Sequence, residues 1–121
     1  MISIPVSIGE LLDKISILEI KIQKGIKEAQ MELDLLNEIR FKLSISIIGN
    51  SLYKALYSIN LSLWDIEDEK RECEQMETFD PHFIELSRAV YILNDQRAHL
   101  KRLINKYMDS GIKEYKSHKE Y

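Results

Sequence analysis

From Leu52 onward, apolar side chains recur at Leu52, Leu56, Ile59, Leu63, Ile66 and Cys73, a seven-residue rhythm. That rhythm is the seam of a helix packed at a shallow angle against another. A second segment answers it, with Phe83, Leu86, Val90, Leu93, Leu100, Ile104 and Tyr107 on one helical face. Between the two lies the stop Glu77-Thr-Phe-Asp-Pro81. Asp80 can cap there, Pro81 carries the fixed φ of a first helical position, and Phe79 with Ile84 can form a hydrophobic staple. The short connection makes 52–75 and 81–108 an antiparallel hairpin, with Gly111 closing the second helix. The chain has only 4 Gly and 2 Pro in 121 residues, so long segments run unbroken, unlike a sandwich that needs frequent turns. The expected fold is all-α: an antiparallel bundle of three to four helices with a long helix-three/helix-four hairpin. Residues 1–121 are expected to form a single domain.

The N-terminal third supplies the stripe that seals this hairpin. Residues 1–6 alternate Ile2, Ile4 and Val6 with Ser3 and Pro5, the pattern of an extended arm with one apolar edge to lay on the bundle. Ser7 and Glu10 have capping-box spacing, and Val6 with Leu11 has staple spacing. Leu11, Ile15, Leu18 and Ile22, with Ile8 and Leu12 beside them, then face inward. Lys24-Gly25 reads as a helix end. A continuous helix over 8–44 could absorb the glycine at about 1 kcal/mol. It would run about 55 Å and overhang its neighbours, so a break is expected. Residues 44–51 lose helical period and end in Gly-Asn-Ser, which predicts a connector. The charged tail 112–121 is expected to be loosely held.

Composition narrows the function classes. Net charge is −3, with 17 basic and 20 acidic residues interspersed, so the basic stripe that nucleic acid requires is missing. A single cysteine, Cys73, has no intramolecular partner, and a reducing cytoplasm is the expected compartment. The opening has no basic n-region and does not read as a signal peptide. Residues 43–64, although poor in charge, hold five Ser, two Asn and a Gly, and no membrane span is expected.

Four blocks resemble a known family: Val6-Ser-Ile-Gly-Glu-Leu-Leu-Asp-Lys-Ile-Ser-Ile-Leu-Glu-Ile-Lys21, Leu63-Trp-Asp-Ile-Glu-Asp68, Phe83-Ile-Glu-Leu-Ser-Arg-Ala-Val-Tyr91 and Asn94-Asp-Gln-Arg97. Together they are similar to an uncharacterised family of small helical proteins, mainly bacterial, sometimes found beside or fused to polysaccharide-synthesis proteins. The resemblance spans nearly the whole chain and implies a helical fold but no established activity. Family members tend to carry a longer charged insertion where this chain has only 23–27, which favours a turn near Gly25.

Several side chains could carry chemistry. Six acidic residues fall within the ten positions from Asp65, and Asp65, Asp68 and Glu72 share one helical line. Like charges at that spacing repel unless a cation sits among them, so Mg²⁺ is a candidate cofactor. The plainer reading is a solvated acidic face, with Glu67 and Arg71 paired at i,i+4. Asp13, Lys14, Glu19 and Lys21 lie on helix one, and Arg88 and Arg97 on helix four. Convergence of Lys14, Arg88 and Arg97 would make a pocket for a small anion. Arg97 shares the apolar seam and should turn inward, where it needs a carboxylate from Asp65, Asp68 or Asp13. Asn94 and Tyr91 belong to a polar row with Ser87, Ala98 and Lys101, of the kind that sets register between helices. Asp95 and His99 could supply two metal ligands, with no third evident. Cys73 reads as a buried thiol.

Trp64, Tyr53 and Tyr57 make an aromatic stripe that suits core or subunit interface, and a homodimer is expected. No glycine-rich phosphate loop, nucleophile elbow or zinc spacing is present, so the chain leans away from being an enzyme. The leading reading is a non-catalytic helical interaction or accessory module that needs no cofactor. The alternatives are a Mg/Mn-dependent nucleotide or sugar-nucleotide phosphohydrolase using helical carboxylates, and binding of a small anionic ligand.

Overall fold

Four helices and one short 3-10 turn make up the computed structural model, which describes residues 1–108. They are α1 (Ile8–Gln23), the 3-10 turn Lys27–Ala29, α2 (Gln30–Lys42), α3 (Ser51–Gln75) and α4 (Pro81–Tyr107). The fold is all-α, and α3 and α4 pack closely as an antiparallel hairpin. The expected tail over 112–121 and the closure at Gly111 lie outside the described residues. Among the described residues no helix is long and apolar enough to cross a membrane.

The starts of α1, α3 and α4 are capped by a side chain, while α2 follows directly on the 3-10 turn without one. Ser7 Oγ, Asn50 Oδ1 and Asp80 Oδ1 accept backbone N–H bonds from Glu10, Tyr53 and Phe83, each 3.1 Å long. Three helix ends share a second device. At Gly25, Ser44 and Glu77 the chain turns left-handed, with φ of 91°, 55° and 52°. In each case the next N–H reaches back to the helix: Ile26 to Lys21, Ile45 to Arg40, and Thr78 to Cys73. These are Schellman closures, and the first is the break expected at Gly25.

α1 is the centre of the core. Leu12 and Ile15 are fully buried, and they pack with Leu11, Leu18, Leu33, Tyr53, Leu56 and Ile104. At 16 residues α1 is about 24 Å long, whereas the 25-residue α3 extends about 37 Å, so α1 cannot cover the whole hairpin. Within 66–96, Leu86 is the one buried side chain among the described residues.

Four expectations need correction. The arm does not lie on the bundle: Ile2 and Ile4 are 88% and 70% exposed, and among the described residues no strand pairs with its backbone. Glu10 caps through its backbone, while its carboxylate crosses to Lys101 at 2.7 Å, so the capping box is one-sided. Phe79 packs edge-on against Phe83, with centroids 5.2 Å apart, and Ile84 stays exposed. Cys73 is only half-buried, since it lies on the part of the seam that α1 does not reach.

Candidate functional site

Gly9, Asp13 and Ser16 recur at i, i+4 and i+7 on α1, and all three are buried. Polar groups that α1 turns inward must find partners on the hairpin. Asp13, 1% exposed, binds Arg97 in a fork: Nε to Oδ1 is 2.9 Å and Nη2 to Oδ2 is 2.5 Å. The amide of Asn60 on α3 donates to Asp13 Oδ1 at 2.9 Å and to Ser16 Oγ at 2.8 Å. Ser16 in turn donates to the Asp13 carbonyl at 2.7 Å. Lys101 Nζ sits 2.7 Å from Glu10 and 3.9 Å from Asp13 Oδ2. At the far end Asn105 Oδ1 accepts the Gly9 N–H at 2.7 Å.

This network ties α1 to both arms of the hairpin. It also shapes what lies next to it, because Asn60 and Arg97 form the floor of a cleft of about 450 Å³. Ile17, Leu63 and Trp64 make the apolar walls, and the exposed side chains of Glu67, Asp68 and Arg71 stand at the rim. The cleft falls within the size range of small-molecule sites. Asp13 behind its floor already accepts from Arg97 and Asn60, which suits a structural lock.

A family model matches residues 2–120, nearly the whole chain. The chain belongs to DUF6165, a family of unknown function. Comparison with curated proteins and with solved structures finds no match in either.

In this DUF6165 chain the other residues singled out by sequence distribute as follows. Of the three carboxylates considered for Arg97, Asp13 is the partner. Asp65 instead meets Lys24 at 3.0 Å on the surface. Glu19 accepts from the buried Tyr53 hydroxyl at 2.8 Å, and Tyr57 donates to Gln23 at 2.6 Å, so most of the aromatic stripe faces α1. Burial first, then the hydrogen bond and charge of Glu19, push the Tyr53 phenol above its ordinary pKa. Trp64, Asp68, Arg71 and Arg97 share the cleft. Lys14 and Arg88 are exposed and do not line it, and Lys21 is half-buried elsewhere on α1. Asn94 reaches Arg97 only at 3.4 Å, and Tyr91 is 40% exposed. Glu72 lies farther along α3, beside Cys73 and His82. Among the described residues no three His, Cys, Asp or Glu side chains gather as a metal site.

Asn60, Ser16, Glu10 and Asn105 complete the network without having been singled out as site residues. Their signal is a polar residue in an apolar column: Asn60 follows Leu56 by one turn, and Ser16 precedes Ile20 by one turn.

Proposed function

We propose that the chain is a non-catalytic helical interaction module that works as a homodimer. The supporting observation is the stripe that α4 carries where α1 does not reach. Ile84, Tyr91 and Ile92 are 56%, 40% and 42% exposed there, with Arg88 and Asp95 between and beside them. Antiparallel pairing of two such stripes about an axis between Tyr91 and Ile92 brings Arg88 of one copy opposite Asp95 of the other. The stripe is therefore self-complementary in charge as well as apolar, which is what a two-fold interface requires.

The alternatives draw less support. Metal-dependent hydrolysis needs converging carboxylates, yet Asp65 is engaged by Lys24 and stands apart from Asp13. Anion binding through Lys14, Arg88 and Arg97 needs three cations in one place, whereas Arg97 is neutralised by Asp13 and the other two lie outside the cleft.

Sedimentation of the full chain at tens of micromolar tests the reading, with a dimer as the expected species. Arg88→Glu should dissociate it, and Arg88→Glu combined with Asp95→Arg should restore it. A monomer in the wild type, or no restoration in the charge-swapped protein, overturns the second-copy assignment. Turnover of nucleotides or sugar nucleotides with Mg²⁺ would overturn the non-catalytic one.

A further inference from the structure

We propose that the cleft between α1 and the hairpin binds an organic cation, a primary ammonium or guanidinium with the bulk of a lysine or arginine head. This inference is independent of dimer formation. It starts from Asn60, which is 5% exposed and forms part of the cleft floor. Its amide nitrogen donates to Asp13 and Ser16, which leaves the carbonyl Oδ1 as the group it offers to the cleft. The floor is thus an acceptor. Above it the rim carries Glu67 and Asp68, and among the described residues neither forms an ion pair. Those are further acceptors, and charged ones.

The two guanidinium groups do not reverse this balance. Arg97 is held by both oxygens of Asp13, so its charge is compensated within the protein. Arg71 remains at the rim, three and four residues after Asp68 and Glu67, so two carboxylates stand there against one guanidinium. Asp13, Glu67 and Asp68 together leave the site with one negative charge in excess of Arg71 and Arg97. The walls select the kind of cation. Trp64 brings an indole, the strongest of the aromatic partners for a cation, to the lining, and Ile17 and Leu63 can cover a methylene stem. A hydrated metal ion would make no use of these walls, and an anion would meet the carboxylates first.

Trp64 is the sole tryptophan, so its emission reports on the cleft directly. The full chain is titrated at constant ionic strength with cadaverine, methylguanidine, the N-acetyl methylamides of lysine and arginine, and glutarate as the anionic control. The Asn60 side-chain amide is followed by NMR in parallel. The expected result is saturable change with cations and none with glutarate. Glu67→Gln and Asp68→Asn should each weaken binding about tenfold, as loss of one charge-assisted contact does, and leave the melting temperature unchanged because both residues are exposed. Saturation by the free amines means that a small amine suffices. Saturation by the blocked amino acids alone assigns the cleft to a basic side chain of a protein partner. Absence of saturation with every cation, saturation by glutarate, or unaltered binding in both carboxylate variants overturns the proposal.

Discussion

Gly9 stands so close to Lys101 that a Cβ added to it would lie 2.6 Å from the Lys101 carbonyl oxygen and 2.9 Å from Asn105 Oδ1. The obstacle is largely backbone of α4, which cannot swing aside as a side-chain tip can. Gly9→Ala therefore forces α1 away from the hairpin and lengthens the Gly9–Asn105 hydrogen bond. Alanine gains about 1 kcal/mol of helix propensity over glycine, but overpacking of this kind costs about 1–3 kcal/mol. The expected outcome is a net loss of up to about 2 kcal/mol in urea unfolding. Equal or greater stability in Gly9→Ala would mean that α1 and α4 do not approach as described.

Two ion pairs of similar length should differ widely in worth. Asp13 is 1% exposed and Arg97 27%, whereas the Lys24 and Asp65 side chains are 34% and 55% exposed. Truncating Asp13 takes a buried acceptor from both the Arg97 guanidinium and the Asn60 amide. Asp13→Ala should cost about 3 kcal/mol or more, while Lys24→Ala should cost less than about 1 kcal/mol. Chemical denaturation of both variants checks the contrast, and comparable losses would contradict it.

The elements that could be read in advance are those whose cause is local. Asp80 before Pro81, Ser7 before α1 and Gly25 after it act within one turn of chain, so single positions announce them. The hairpin followed from periodicity, which says which face is apolar. Periodicity does not say what covers that face. Cys73 and the arm residues Ile2 and Ile4 are more exposed than their pattern implies for that reason, since their burial depends on how far α1 extends and where it lies. The polar network has the same character. The inward turn of Arg97 could be inferred from its column, but its choice of Asp13 over Asp65 or Asp68 depends on how α1 is placed across the hairpin. Asn60 and Ser16 stood in apolar columns with nothing in the sequence to pair them.

The three Schellman closures predict stability changes of opposite sign. Gly25 adopts its left-handed φ without strain, while Ser44 and Glu77 adopt theirs with a Cβ. No atom lies within 4 Å of a Cβ placed at Gly25, so Gly25→Ala probes backbone strain alone. It should lose about 1 kcal/mol, and Glu77→Gly should gain up to about 1 kcal/mol at the hairpin tip. Thermal unfolding of the two variants decides, and shifts of the same sign would refute the assignment.

Tyr53 supplies the pH dependence. Its folded pKa lies above the unfolded value of about 10, so the folded chain holds the phenolic proton more tightly than the unfolded chain. The stability that follows is complete below about pH 10 and is lost as pH rises toward the folded value. Tyr53→Phe keeps the ring but deprives Glu19 of a donor, which should cost about 1 kcal/mol at neutral pH. The variant has no proton to lose at this position. The gap between wild type and Tyr53→Phe should therefore narrow as pH climbs from about 9 to about 11, as unfolded wild-type chains ionise there. Urea titrations across that range read the gap directly. A constant gap would mean that the phenol ionises as readily in the folded chain as in the unfolded one, and that neither burial nor Glu19 holds its proton.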